Sequence, residues 1–275
     1  MVLMGSAEPL KVPLTLGVEG RFRFIWYGFI LAEQGQSRRY REPSGETAMV
    51  AIKTEITVTY TPILNLSAVG RDLAGPYMIY GAVAQIKDAG RPGERIILIF
   101  EEDGFVIDFD WLRIAFLGQS SREGYDDENG PLRFFFELVA KIEKLPGFGK
   151  IKELKLDTWD VIEVSEGALA DPVAFKEKYL STQSYSTKGD LDDLYVNLTY
   201  KSPSRSWEWV FGPYKKKADW DKHSLLVFTK RNIDDLLNKD GILSNVVITD
   251  TGSKANHKLY LSMYKDAKDI LSGIV

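Results

Sequence analysis

The sequence predicts an α+β fold: a largely antiparallel or mixed sheet with about four helices, most of them in the C-terminal half. Three observations carry this. Runs that alternate between apolar and polar residues dominate the first half of the chain and read as strands. Segments with apolar residues every three or four positions come after residue 130 and read as helices. No regular strand–helix alternation opens on a glycine-rich turn, so a dinucleotide-binding sheet is not expected. The 275 residues are expected to form one domain over 1–275, with a candidate subdomain junction within 118–131.

The elements follow in order. GRFRFIWYGFIL (20–31) is rich in aromatic and β-branched residues and reads as a strand. Bulky groups occupy both of its faces, so it needs cover twice, from its own core and from a helix or another subunit. Residues 32–47 are rich in Gly, Ser, Pro and charge and read as a long loop. In AIKTEITVTY (51–60), Ile52, Thr54, Ile56, Val58 and Tyr60 share one face. Lys53, Glu55, Thr57 and Thr59 share the other, the pattern of a half-buried antiparallel strand. YMIYGAVAQI (77–86) and RIILIF (95–100) read as further strands. RIILIF runs into Glu101, Glu102, Asp103 and Gly104, and Asp-Gly is a hairpin signal. FVIDFDWL (105–112) returns, with Phe105, Ile107, Phe109 and Trp111 on its core face.

In the second half, PLRFFFELVAKIEKL (131–145) has Pro131 at the helical start and apolar residues at helical spacing. Residues 151–164 read as a strand whose alternation shifts near Thr158, the mark of a bulge. Asp171-Pro172 starts a short helix over 171–180. Residues 192–200, 206–212, 223–228 and 243–250 read as strands. Residues 229–241 and 256–273 read as helices.

Composition narrows the chemistry. There are no cysteines, which excludes disulfides, thiolate metal sites and cysteine nucleophiles. Only His223 and His257 are present, in no HxH or HExxH arrangement. The net charge of −4 gives no global pull toward nucleic acid. GFGK (147–150) lacks the spacing and the Ser/Thr of a phosphate loop. No cofactor and no metal site is expected. No secretory signal and no membrane span are seen, so an intracellular or virion-associated location is expected.

Two segments remain as candidate sites. Asp108 and Asp110 lie two residues apart in one strand, a spacing of roughly 6–7 Å that could hold a cation. The reading preferred here is the solvated face of a hairpin, with both aspartates facing water. SPSRSWEWVFGPYKKKADWDKH (202–223) interleaves bases and aromatics. Arg205, Lys215, Lys216, Lys217 and Trp220, with Arg38, Arg39 and Arg41 of RRYRE, are the candidate nucleic-acid-binding set. Trp207 and Trp209 share one strand face and are expected in the core. His223, two residues from Asp221, joins Asp108 and Asp110 as a candidate catalytic residue; it and His257, at the start of the terminal helix, could each be a general base, and the reading preferred for each is a surface or capping group.

The chain lacks Cys and carries 13 Tyr, 14 Phe and 6 Trp. In that composition it resembles orphan proteins of viruses that infect acidophilic, thermophilic archaea. The resemblance implies a thermostable chain, often of new fold, and transfers no site residue. Three functions are weighed. The first is a non-enzymatic structural or interaction protein with a protein partner or self-association. The second is a nucleic-acid-binding protein, and the third a carboxylate-dependent hydrolase or nuclease.

Overall fold

The computed structural model describes residues 49–64, 66–91, 93–119, 129–163, 171–179, 194–223, 225, 240–252 and 254–272. The strand expected over 20–31, the loop over 32–47 and most of the junction over 118–131 lie outside them. So do most of the strand over 223–228 and of the helix over 229–241.

Among the described residues, alternating side chains build nine strands: β1 (Met49–Tyr60), β2 (Val83–Lys87), β3 (Arg95–Phe100), β4 (Phe105–Phe109), β5 (Arg113–Gly118), β6 (Ile151–Glu163), β7 (Val196–Lys201), β8 (Arg205–Pro213) and β9 (Gly241–Asp250). They form one sheet in the order β2-β3-β4-β5-β1-β6-β9-β8-β7. Every pairing is antiparallel. The long strands β1 and β6 lie at its middle, where each is paired on both sides.

The two faces of the sheet are unequal. On one, Ile56, Val58, Leu98, Ile107, Phe116, Leu156 and Ile248 belong to the main core. Four helices cover it: α1 (Leu66–Ala74) over β3, α2 (Leu132–Ile142) over β5, α3 (Pro172–Tyr179) over β8, and α5 (His257–Ser272) over β6 and β9. α2 and α5 are amphipathic in the expected way, burying Phe135, Leu138 and Ile142, and Tyr260, Met263 and Ala267. The opposite face carries a smaller core of Ile52, Val161 and Leu243 with Tyr214, Trp220 and Leu225. There α4 (Lys217–His223) supplies Trp220. Among the described residues no helix is long and apolar enough to cross a membrane.

Five α-helices are thus described rather than about four. They are not gathered at the C-terminal end, because α1 precedes β2 and α2 sits at the middle of the chain. The sheet, not the helices, dominates.

Four further differences have local causes. Residues 77–86 are not one strand: a 3-10 helix occupies Gly75–Tyr80, and only Val83–Lys87 extends as β2. Pro76 starts that helix, and Gly81, at φ 83°, ends it in the left-handed region that glycine tolerates. α1 went unread because it is short and holds Gly70. That glycine is needed: a Cβ on it would lie 2.4 Å from Cδ1 of Ile96, so its absence lets α1 approach β3. The return strand ends at Phe109, and Asp110–Leu112 turn the chain into β5, which was not expected. The β3–β4 turn is four residues long, closed by the Gly104 N–H donating to the Phe100 carbonyl at 2.9 Å.

The disturbance expected near Thr158 is present, but on the partner strand. The β1–β6 register skips Ile52 on β1, opposite Trp159 and Asp160 of β6. A second skip falls between Thr59 and Tyr60, where β6 carries the extra residue Lys152. The first bulge turns Ile52 toward the smaller core while Thr54, Ile56 and Val58 keep to the main-core face.

Candidate functional site

Asp110 lies just past the end of β4, and Arg113 reaches it as well as Asp108, at 3.8 and 3.6 Å. Asp108 stands on β4, on the face away from the main core, between two arginines. The Arg95 guanidinium donates to it through Nε at 3.2 Å and through its terminal nitrogen, and Arg113 approaches to 3.6 Å. The hydrogen bonds to Asp108 are the main reason that Arg95 holds its proton above its usual range. Asp110 instead fastens the β4–β5 turn. Its Oδ1 accepts from the N–H groups of Leu112 at 2.7 Å and Arg113 at 3.0 Å. Behind the turn the Tyr60 hydroxyl lies 2.5 Å from the Asp110 carbonyl and 3.0 Å from that of Arg113. Burial, with Asp110 nearby, pushes that phenol far above its usual pKa.

The expectation that both aspartates face water is corrected. Their side chains are 16% and 15% exposed, because the outer sheet face folds two guanidinium groups and a turn around them. Asp108 ties β3 to β5 through Arg95 and Arg113, and Asp110 fastens the β4–β5 turn. Among the described residues no three carboxylate or imidazole groups converge as a metal site would require.

The basic-aromatic segment is likewise drawn inward. Arg205, at the start of β8, donates through Nε and one terminal nitrogen to Asp250 at 3.2 and 3.1 Å. Its other terminal nitrogen reaches Asp266 on α5 at 2.7 Å and the Ser262 hydroxyl at 3.3 Å. Burial works against the charge, and the hydrogen bonds to Asp266 and Asp250 more than offset it, so the pKa is raised. Trp207 donates from Nε1 to the same Asp266 at 3.2 Å. Trp209, buried as expected, donates to the Ser244 hydroxyl at 2.9 Å. Trp220 lies in the smaller core and donates to the Tyr214 hydroxyl, so its ring is not on the surface. Lys215 stays half-buried and gives its backbone N–H to Asp219 at 2.6 Å. Lys216 pairs with Asp240 at 2.9 Å and Lys217 with Asp221 at 3.1 Å. His223 ends α4 with its ring 4.6 Å from Trp159, on a different part of the sheet from Asp108. Arg38, Arg39 and Arg41 lie outside the described residues.

The surface that stands out was not singled out from the sequence. Among the described residues β2 is an outer strand, and all five of its residues are exposed. Of nine large apolar side chains exposed among the described residues, five fall between 78 and 86: Met78, Ile79, Tyr80, Val83 and Ile86. Ile79 is 81% exposed, Val83 58% and Tyr80 52%. Tyr77 and Ala82 turn inward to the main core; burial raises the Tyr77 phenol pKa to about 12, and Lys141 lies 4.7 Å above its ring. Beyond the other end of β2, a shallow cavity of about 280 Å³ opens between Leu64, Leu66, Ile96, Phe109 and Trp111, with Arg91 and Glu94 at its rim. The sequence signal was there: residues 77–84 hold no charged side chain and no polar face, which suits neither a wet strand nor a wet helix.

No protein-family model matches the chain, and no curated protein matches its sequence.

Proposed function

We propose that the protein acts by contact rather than by turnover, as an interaction or structural protein that engages a protein partner along β2 and the 3-10 helix before it. The observation that carries this is the concentration of exposed apolar side chains, Met78 to Ile86, beside an outer strand. Outer strands are normally blunted by proline, inward charge, bulges or short length. β2 is short, but it carries no proline and one lysine, at its end. Exposed apolar patches on soluble proteins mark interaction sites, and an open strand adds main-chain hydrogen bonds to them. The compositional resemblance supports a setting in a virion or at its host interface.

A broad screen for nuclease, esterase and glycosidase turnover tests the reading. The expected result is no activity above blank. Turnover that a single carboxylate substitution abolishes overturns it. In parallel, a dye that binds exposed apolar surface should bind the native chain, and Ile79→Glu with Val83→Lys should remove most of that binding.

A further inference from the structure

We infer that the partner of this edge is a second copy of the chain, joined by antiparallel pairing of β2 with β2 of the copy about a two-fold axis at Gln85. This rests on the contact reading and names its partner.

Register is the first argument. A two-fold interface is self-complementary: residue i meets j and j meets i. For a five-residue strand, only the register centred on Gln85 pairs all five positions. It sets Val83 against Lys87, Ala84 against Ile86, and Gln85 against itself. The amide of Gln85 both donates and accepts, so it can satisfy its own copy. On the main-core face a small residue meets a large one, Ala84 against Ile86. On the outer face the stem of Lys87 lies along Val83. Lys87 is the only charged residue of β2, and its two copies end four positions apart, about 13 Å at strand spacing. No like charges are opposed.

The flanks fit the same register. Continued past Lys87, it carries the 88–91 turn of one copy toward the 3-10 helix of the other, twice over. The Arg91 side chain, 4.0 Å from Asp88, is 78% exposed on that turn. Tyr80 and Ile79 are the exposed groups on the facing helix. A guanidinium over an aromatic ring is a favourable pair. Four exposed apolar side chains per copy, Ile79, Tyr80, Val83 and Ile86, thereby gain cover.

Size sets the expected strength. The β2 ladder is about 17 Å long. Residues 78–91 are fewer than the roughly 20–30 residues a side of a standard interface. The dimer is therefore a weak one, forming in the micromolar to tens-of-micromolar range and exchanging with monomer.

The absence of cysteine makes a clean experiment possible in the full chain. A single cysteine introduced by Gln85→Cys can form a disulfide only with another copy. Directly opposed residues of an antiparallel pair have Cα atoms about 4.5–5.5 Å apart, inside the range a disulfide accepts. Under mild oxidation at about 50 µM, Gln85→Cys should yield mostly covalent dimer that reductant dissolves, whereas Lys201→Cys, on the opposite edge of the sheet, should yield at least five-fold less. Adding Ile79→Glu to Gln85→Cys should cut the yield several-fold. Far-UV circular dichroism and Tm check that each variant folds. Sedimentation of the unmodified chain over about 1–200 µM should show a monomer giving way to dimer, shifted at least ten-fold upward in concentration by Ile79→Glu with Val83→Lys. A monomer throughout overturns the second copy, and leaves the edge to a strand of another protein with the contact reading intact. A dimer with no Gln85→Cys cross-link, or equal cross-linking at both edges, overturns the β2 axis.

Discussion

At the β8 end of the sheet a guanidinium and the carboxylate of Asp250 lie inside the protein, with Asp266 half-buried beside them; at the β2 end isoleucine, valine and tyrosine lie outside it. Arg205 is 16% exposed and Asp250 3%, whereas Ile79 is 81% exposed. Side-chain chemistry alone predicts the reverse. What differs is the number of elements that converge. Arg205 is met by the end of β9 and by α5, which supply acceptors to both edges of its fork. A buried charge persists where hydrogen bonds replace its hydration. Among the described residues β2 has one neighbouring strand, and α1 packs on β3. Hydrocarbon there stays in water unless another surface arrives.

The largest expected effect lies at the charged corner. Arg205→Ala leaves Asp250 buried without its counter-ion, and removing one partner of such a pair costs about 3–5 kcal/mol. The corresponding fall in Tm is on the order of 10 °C. Arg205→Lys should recover only part of it, because an ammonium cannot serve Asp250 and Asp266 through a planar fork. A loss below 1 kcal/mol in denaturant titrations would mean that the corner is held by packing alone.

Asp108→Ala should come next, at about 1–2 kcal/mol, because two half-exposed arginines lose their shared acceptor but regain water. Its effect should shrink with added salt more than that of Arg205→Ala.

Alkaline titration sharpens the comparison at the other end. Tyr77 has its pKa raised by burial from 10.0 to about 12, so the folded state holds a proton that the unfolded chain gives up earlier. Its contribution is fully present below pH 10 and is lost as pH rises toward 12. Stability should therefore fall across that window, and Tyr77→Phe should make the fall shallower. Tyr60, raised further, keeps some slope in the variant.

The smallest effects belong to exposed groups of both kinds. Lys217→Ala breaks an ion pair with Asp221 that lies in solvent, and monomer stability should change by less than about 0.5 kcal/mol. Ile79→Glu should change monomer stability equally little. A large destabilisation by Ile79→Glu in dilute monomer would show that the apolar end is internally packed, and would break the comparison.

How much of this was legible depended on how far the partners lie along the chain. The alternation of β1 was readable because period 2 is written in consecutive residues. So were the buried stripes of α2 and α5, and the core placement of Trp209. The role of Arg205 was not readable, because its acceptors lie 45 and 61 positions away. A cation beside tryptophans looks the same in sequence whether it meets a phosphate or an internal carboxylate. Asp108 failed for the same reason at shorter range: only the β3–β4–β5 pairing brings Arg95 and Arg113 to it. The stretch 77–86 failed differently. It is apolar at nearly every position, so neither period wins, and Pro76 with Gly81 decided the backbone locally.

The two bulges of the central strands bear on how this chain can change length. One extra residue sits on β1 and one on β6, so the two strands slip out of step at Ile52 and back into step at Lys152. Deleting either residue alone would remove its bulge and leave the pairings on both sides of it in step, since Ala51 and Lys53 already face Asp160 and Trp159, and Thr59 and Tyr60 already face Glu153 and Ile151. Neither residue is paired to its strand's other neighbour, for β5 meets Thr54–Thr59 and β9 meets Leu154–Glu163. In a set of related chains, these two positions should gain or lose a residue independently, while a deletion between them should be inherited only with one on the facing strand.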